Sequence, residues 1–297
     1  QDAIGSLGIV KRGTGAHKKR IMLAAHMDEI GVQVIRVNDD GTLMVKSLGC
    51  SWIYTAYQSR VQFRSGLTGV VAARVRPDKL ENQFVNLYVD IGVTSKEEAL
   101  RYADVGDVAC YVGPYTPLAG DYVTAKAIDN RVGCFLLLEL LKTCGSPVND
   151  LFFVFTVQEE LGCRGGITAA AGILPDLGVA VDVTPAMDRP GDLEGSNTPG
   201  QGAAIKISDT SVICDEGLVQ TLISCAARDG IPYQKDVIYV GGTDASAINL
   251  AGTGIRACGV SVVTRYTHGQ NCIVNTGDIE AAASLLGAFV RETFSQL

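Results

Sequence analysis

The stretch Phe155-Thr156-Val157-Gln158-Glu159-Glu160 closes an apolar run that begins at Leu151. A run of this length, rich in Phe and Val, is typical of a buried strand in a parallel sheet. Ligands of open α/β sheets bind just beyond the carboxyl ends of the strands. Two adjacent acids at that position repel each other unless a cation or a shared proton relieves the repulsion. The stretch therefore predicts a metal site or an acid–base site at the end of a buried strand.

Composition and charge narrow the class of protein. The chain has 297 residues, of which 47% are hydrophobic, so it can bury a sizeable core in one large domain or two ordinary ones. Its formal net charge of -7 leaves no basic excess to neutralise phosphates. We therefore expect no nucleic acid among its main partners.

The cysteines and the apolar segments bear on location. Nine cysteines are scattered from Cys50 to Cys272, and no two of them form a Cys-x-x-Cys pair. This usage is typical of a reduced cytoplasmic protein and argues against a disulfide framework or a zinc ribbon. The longest apolar helix candidate, Val132 to Leu141, contains Glu139 and is too short to span a bilayer. We expect a cytoplasmic protein with no membrane partner.

Three further apolar runs, which begin at residues 21, 178 and 258, also end near side chains that can bind a metal. Those side chains are His26, Asp182 and His268. Because the strand ends of one parallel sheet lie along one edge, they can converge with the two adjacent acids of the first run. Asp129 precedes an apolar helix, where a helix cap is the default interpretation and a ligand role needs other evidence.

The organisation of the chain changes twice. Residues 32–120 consist of short alternating runs separated by turn signals, which is typical of a small barrel or sandwich that serves as a structural or assembly module. From Thr124 onward strands and helices alternate, with one strand predicted at Val237 to Val240. We expect an α/β fold: a mostly parallel sheet flanked by helices from residues 1–31 and 121–297, with a small all-β, barrel-like domain inserted at 32–120.

The donor atoms indicate which metals the site would bind. Two histidines and four acids, with no cysteine among them, suit Zn, Co or Mn. This is more than one ion requires, but it fits two ions that share a carboxylate, typically ~3.5–4 Å apart. Such a pair activates a water molecule, and a free carboxylate is then needed as a general base. Glu159 and Glu160 fit the two roles of ligand and base, although the residues alone do not decide which does which.

Two other motifs lie near these candidates. Asp28 follows His26 by two residues, and its carboxylate can accept the ring N–H that faces away from a metal, although a solvated loop is the commoner meaning of an isolated pair. Gly242, Thr243 and Asp244 read as a strand-to-helix turn that lines the substrate pocket. A serine hydrolase is not supported, because the chain has no Gly-x-Ser-x-Gly motif.

Together, the motifs resemble those of one family. They occur in order over nearly the whole chain, as Ala24-Ala25-His26-Met27-Asp28-Glu29-Ile30-Gly31, Ala127-Ile128-Asp129-Asn130-Arg131, Phe155-Thr156-Val157-Gln158-Glu159-Glu160, Val181-Asp182-Val183-Thr184, Gly241-Gly242-Thr243-Asp244 and Arg265-Tyr266-Thr267-His268. The sequence resembles the tetrahedral (TET) dinuclear metallo-aminopeptidases, relatives of glutamyl and deblocking aminopeptidases, some of which are labelled endoglucanase.

The resemblance implies a zinc-peptidase-like catalytic domain and a role for each matching position. Asp129 would bridge two divalent ions, Zn or Co in the first place and Mn as a further option. The remaining roles are His26 and Asp182 on one ion, Glu160 and His268 on the other, Glu159 as general base, and Asp28 as the partner that orients His26. The inserted domain would build a homo-oligomer, in which dimers assemble into a tetrahedral dodecamer. The implied reaction removes N-terminal residues from short peptides.

Two departures and two alternatives accompany this interpretation. Family members usually carry a helical segment and a strand ahead of the strand at Ile21, whereas about twenty residues precede it here, and the sequence does not open on Met. Gly269-Gln270-Asn271 follows His268 where the family has Ser or Thr and Pro.

The alternatives are another amidohydrolase or deacylase on the same metal scaffold, and a non-catalytic assembly protein with a relict site.

Overall fold

A computed structural model describes residues 1–80 and 84–296 of the chain. The described strands form a ten-stranded mixed sheet and a closed six-stranded barrel. The barrel comes from one continuous segment between residues 31 and 111, and helices flank the large sheet. The expected fold class, α/β with a small barrel-like all-β insertion, is confirmed.

The large sheet is parallel at its centre, and its outer pairings are antiparallel except for that of β13 with β14, which is parallel. Its strands are β1 Leu7–Lys11, β2 Arg20–His26, β9 Thr116–Pro117, β10 Tyr122–Ala125, β11 Asp150–Thr156, β12 Leu177–Pro185, β13 Ala203–Ser208, β14 Tyr233–Val237, β15 Arg256–Arg265 and β16 Cys272–Asn275. The order is β1-β11-β2-β12-β15-β16-β10-β9, and β13 pairs with both β14 and β15. Neighbours among β11, β2, β12 and β15 are parallel, so their carboxyl ends share one edge.

The register of the central strands decides which side chains meet at that edge. Thr156 of β11 is level with His26 of β2, and Asp182 of β12 is level with Ser261 of β15. All seven residues of β11 are buried, as its Phe- and Val-rich sequence predicts. A fully buried strand has a fixed register, because a slip of one residue would reverse the two faces of the sheet.

The barrel is closed in the order β3-β4-β7-β6-β5-β8. Its strands are β3 Gly31–Val37, β4 Leu43–Leu48, β5 Arg60–Phe63, β6 Thr68–Ala73, β7 Leu87–Asp90 and β8 Val108–Tyr111. Alternate residues point inward and form a core separate from that of the large sheet, with Val32, Val45 and Val89 among its members.

Seven α-helices complete the described fold. They are α1 Ile53–Ala56, α2 Lys96–Ala99, α3 Ile128–Thr143, α4 Arg164–Ile173, α5 Glu216–Asp229, α6 Asp244–Asn249 and α7 Thr276–Phe289, with short 3-10 turns at Pro77–Lys79 and Phe84–Asn86. Helix α3 packs on the sheet through Leu136, Leu137 and Leu140. Within the described ranges, none of the helices has the length and apolarity that crossing a bilayer requires.

The strand predicted at Val237 to Val240 is wrong in position. Strand β14 occupies Tyr233–Val237, and residues 238–240 lie outside any strand. The cause is a charge inside the strand: Asp236 is fully buried and forms an ion pair with the equally buried Lys206 of β13, at 2.7 Å. An apolar pattern cannot reveal a strand whose one buried residue is an acid.

Candidate metal centre

Six predicted side chains meet at the carboxyl edge of the parallel strands. They are His26 at the end of β2, Glu159 and Glu160 just after β11, Asp182 within β12, His268 just after β15, and Asp129 at the start of α3. The convergence follows from the parallel register, because each strand delivers its polar residue to the same edge.

Five of these six side chains, all except Glu159, form two groups that share Asp129. In the first, His26 Nε2 lies 3.0 Å from Asp129 Oδ1 and 3.6 Å from Asp182 Oδ1. In the second, His268 Nε2 lies 3.3 Å from Asp129 Oδ2 and 3.6 Å from Glu160 Oε2. Within each group, one possible ligand atom per residue lies within 4.8 Å of the others. Asp129 therefore belongs to both groups and offers one oxygen to each.

The histidines and Asp129 share one electrostatic environment. Burial alone would raise the pKa of Asp129, but hydrogen bonds from His26 and His268 hold that pKa far below its usual range. Burial would lower the pKa of His268, but the hydrogen bond and charge of Asp129 raise it to about 9. Burial also opposes the raised pKa of His26, which the charge of Asp182 lifts well above its usual range. Positive charge is thus favoured between these groups, whether protons or metal ions carry it.

The remaining acids of the two groups show the same preference. Burial, followed by the charge of Asp129, raises the pKa of Glu160 to about 7. Burial also raises the pKa of Asp182. Carboxylates outnumber imidazoles here, and a buried excess of negative charge is stable when cations neutralise it. With nitrogen and oxygen donors only, the two groups fit divalent ions such as Zn, Co or Mn.

Asp28 organises both sides of this centre. Its backbone carbonyl oxygen lies 3.2 Å from His26 Nδ1, and its carboxylate Oδ1 lies 3.6 Å from the same nitrogen. The carboxylate also accepts hydrogen bonds from the backbone N–H groups of Glu159 and Glu160, at 3.1 and 3.2 Å. Asp28 therefore orients the imidazole of one group and fixes the chain that carries the two glutamates.

Helix α3 begins in a way that leaves the carboxylate of Asp129 free for the centre. The side chain that caps the first turn is Asn130, whose Oδ1 accepts a hydrogen bond from the N–H of Gly133 at 3.0 Å. Asn130 also donates to the carbonyl oxygen of Val181 at 2.8 Å, which ties the helix start to β12. The cap role that the sequence assigns by default to Asp129 is therefore taken by Asn130.

One acid beside the centre has its own countercharges, which sequence reasoning missed. Lys126 Nζ lies 2.7 Å from both carboxylate oxygens of Glu29, and Arg131 Nη2 lies 3.6 Å from one of them. This pairing keeps Glu29 apart from the two groups although it directly follows Asp28. No local sequence pattern predicts this ion pair, because Lys126 and Glu29 are far apart in sequence.

The turn predicted to line the substrate pocket is partly buried. Gly242 is exposed, whereas Thr243 and Asp244 are buried at the start of α6. Thr243 Oγ1 accepts a hydrogen bond from the N–H of Ala245 and so caps α6. Asp244 lies close to Glu159, with a carboxylate oxygen within 4.8 Å of one of the Glu159 oxygens. Contact of this turn with a substrate stays a prediction.

Comparison with known proteins places the chain in a family. The sequence profile of the M42 glutamyl aminopeptidases matches residues 5–285, which is nearly the whole chain. The chain belongs to the M42 family. A putative aminopeptidase of Acetivibrio thermocellus is similar to this M42 chain, with 42% identity over 286 residues that cover 96% of this chain and 86% of the relative.

Solved structures of similar proteins agree with this placement. Aminopeptidase APDkam598 from the archaeon Desulfurococcus kamchatkensis shares 36% identity, with a TM-score of 0.92 over 98% of this chain and 84% of that one. The TET1 peptidase of Pyrococcus horikoshii, which can assemble into a tetrahedron or a large octahedral shell, shares 31% identity, with a TM-score of 0.85 over 98% of this chain and 88% of that one. The resemblance to the TET aminopeptidases is confirmed, and so is the expected function as a metal-dependent aminopeptidase of the hydrolase class.

Proposed function

We propose that this M42 chain removes N-terminal residues from short peptides with the help of two divalent metal ions. The observation that carries the proposal is the position of Asp129, whose two oxygens face different histidines. A carboxylate shared in this way by two three-residue groups is the arrangement that a pair of ions requires. Zn and Co suit the donor atoms best, and Mn also accepts them.

The two groups divide the ligands between the ions. His26 and Asp182 would hold one ion, Glu160 and His268 the other, and Asp129 both. Such ions, when bound, polarise the scissile carbonyl and lower the pKa of water. Asp28 would keep the imidazole of His26 turned toward its group, because its backbone carbonyl oxygen can accept the N–H of the opposite ring nitrogen, Nδ1, at 3.2 Å.

Glu159 is the proton carrier in this proposal. It belongs to neither ligand group, yet its Oε2 lies 3.8 Å from His26 Nε2, at the edge of the centre. Burial raises its pKa well above the usual range, against the opposing charge of His26, which makes it a stronger base than an exposed glutamate. Glu159 would take a proton from the attacking water and deliver it to the leaving amine.

A substrate panel tests this proposal. Aminoacyl p-nitroanilides and their N-acetylated counterparts are offered to the metal-loaded protein. Release from the free-amine compounds alone supports an aminopeptidase. Release from the acylated compounds alone would favour the amidohydrolase or deacylase alternative, and no release from either with metal bound would favour a non-catalytic assembly protein.

We further propose that residues 32–120 form the oligomerisation domain and that residues 1–31 and 121–297 form the catalytic domain. Three large side chains of this segment, Trp52, Tyr54 and Tyr102, are more than half exposed, at 56%, 67% and 52%. Exposed aromatic side chains of this kind are common where subunits meet. A homo-oligomer built from dimers, up to a tetrahedral dodecamer, would bury them.

We infer that the protein works in the cytoplasm. All nine cysteines have free thiols, five of them buried, and a reducing compartment keeps such thiols from pairing. The net charge of -7 again argues against nucleic acid as a partner.

A further inference from the structure

A third cluster of potential ligands lies behind Glu159. It consists of Glu159, Cys163 and Asp244, each of which offers one ligand atom within 4.8 Å of the other two. Cys163 precedes α4, and its thiol donates a hydrogen bond to Glu159 Oε1 at 3.2 Å. None of the five residues of the two ligand groups takes part, although Glu159 also approaches His26 of the first group.

A second observation, independent of the spacing, is that one buried oxygen of Asp244 has no hydrogen-bond partner among the described residues. The residue is only 2% exposed, and its Oδ2 accepts a short hydrogen bond from Thr156 Oγ1 at 2.6 Å. Its Oδ1 is buried and accepts no hydrogen bond from any described residue. A buried carboxylate oxygen without a partner is costly, and a cation or a proton would relieve that cost.

We propose that Cys163, Asp244 and Glu159 form a third cation site, for a thiophilic divalent ion such as Zn²⁺ or Cd²⁺. One thiolate and two carboxylates are a ligand set that Zn²⁺ accepts in tetrahedral sites with an open fourth position. The ion would form a bond to Sγ as the thiol proton leaves to solvent. Hard ions such as Mg²⁺ gain nothing from the sulfur and would bind poorly.

The spacing suits such an ion. Ligand atoms around tetrahedral Zn²⁺ lie about 3.5 Å from one another, given bond lengths of roughly 2.0–2.3 Å. The thiol and carboxylate of Cys163 and Glu159 already lie 3.2 Å apart, and no pair in the cluster exceeds 4.8 Å. Small side-chain rotations would therefore close the site without movement of the backbone.

Occupation of this site has a functional consequence, which rests on the proposed role of Glu159. An ion bound to the Glu159 carboxylate withholds it from proton transfer. The third site would make excess Zn²⁺ an inhibitor of the enzyme that two ions activate. The binding itself does not depend on that role.

Cadmium titration of the 297-residue chain, loaded first with two equivalents of Co²⁺, tests the binding. We expect a third equivalent to bind with an ultraviolet thiolate-to-Cd²⁺ charge-transfer band, and C163S to lose both. C144S is the matched control, because Cys144 is also half-buried but lies at the end of α3, outside the cluster. C50S removes the exposed thiol of Cys50, and it should keep the band. A band that survives in C163S would overturn the proposal.

A second measurement needs no variant. Crystals of the wild-type protein soaked in Cd²⁺ should show an anomalous peak bonded to Cys163 Sγ and to a carboxylate oxygen of Asp244. Peaks confined to the paired centre would overturn the site even if C163S failed to fold.

Inhibition by excess Zn²⁺ separates this proposal from the proposed function. The half-inhibiting concentration should rise at least about tenfold in C163S, measured relative to that variant's own activity at two equivalents, because one ligand of the site is lost. If Cd²⁺ binds at Cys163 but Zn²⁺ there leaves turnover unchanged, the cation site stands and the assignment of Glu159 as base is wrong.

Discussion

Asp129 is the side chain on which the two ligand groups depend. Its carboxylate oxygens lie 3.0 Å from His26 Nε2 and 3.3 Å from His268 Nε2, so it is a member of both groups. Its depressed pKa, which the two histidines cause against the effect of burial, keeps it ionised and ready to accept positive charge on both sides.

Replacement of this carboxylate tests the bridge. D129N keeps the shape of the side chain but removes the charge, so we expect the purified variant to hold fewer than two ions per chain and to lose most of its activity. Metal analysis of the dialysed protein is the measurement, with D188N as control, because Asp188 pairs with Arg265 instead of the centre. Two full equivalents in D129N would remove Asp129 from the bridge.

Glu159 should behave in the opposite way. E159Q keeps the size of the side chain and leaves both ligand groups intact, so metal content should stay at two ions per chain. Turnover should fall by about 10²–10⁴-fold, the usual contribution of a general base. Steady-state kinetics and metal analysis of the same preparation check this. Full turnover in E159Q would show that Glu159 is not the general base.

For single residues, the sequence predicts a site role for side chains at the ends of apolar runs. It does not predict contacts that form only when distant segments meet in the fold. His26 and Asp182 come at the ends of recognisable apolar runs, and the two glutamates follow another. The pair of Glu29 and Lys126, and the approach of Cys163 to Asp244, depend on contacts between residues far apart in sequence. No spacing rule connects them.

Among the elements, β13 and β14 show that a strand with a buried charge cannot be located from its apolar pattern. Lys206 and Asp236 are fully buried and 2.7 Å apart. Asp236 Oδ1 also accepts hydrogen bonds from Thr184 of β12 and Asn197 of the following loop, at 3.0 and 2.7 Å. One carboxylate thus ties together two strands and the loop that follows the strand carrying Asp182.

Removal of one partner of this pair should be costly. K206M leaves the carboxylate of Asp236 buried without its cation, and we expect a loss of about 3–5 kcal/mol in the free energy of unfolding. The double variant K206M/D236N removes both charges and should recover much of that loss. Denaturant unfolding of the three proteins measures it. A K206M protein as stable as the wild type would contradict the account of the pair.

Asp150, at the start of β11, fixes the loop between β1 and β2 and should do so in a pH-dependent way. It accepts hydrogen bonds from Arg12 and from the N–H of Gly13, and Lys18 lies 3.1 Å away. Against the effect of burial, these contacts lower its pKa to about 2, below its value of roughly 3.9 in an unfolded chain. The folded state therefore binds fewer protons, and its stabilisation is present above pH 4 and lost as pH falls toward 2.

D150N isolates this contribution. At pH 7 the variant should unfold about 1–2 kcal/mol more easily than the wild type, because hydrogen bonds to a charged acceptor are weakened. The difference should shrink as pH drops below about 4, where the wild-type acid is also becoming protonated. Denaturant unfolding at pH 7, 5 and 3 gives the comparison, and a gap that widens toward acid would reverse the sign we assign.

For the whole molecule, the order of elements is readable from the sequence and the edges of the sheet are not. Alternating strands and helices predict the parallel centre formed by β11, β2, β12 and β15, and short alternating runs predict the barrel. The antiparallel edges arise from pairings such as β1 with β11 and β10 with β16, which bring distant segments together. Pairing of that kind is decided by the closure of the whole fold and leaves little trace in local periodicity.

The central claim concerns two metal ions acting together. The most direct test strips the protein with a chelator and follows hydrolysis of an aminoacyl p-nitroanilide as Co²⁺ is added stepwise. We predict negligible activity without metal and a rate that rises until two ions per chain are bound, since each three-residue group holds one. Full activity in the stripped protein, or a maximum already reached at one ion per chain, would contradict the account.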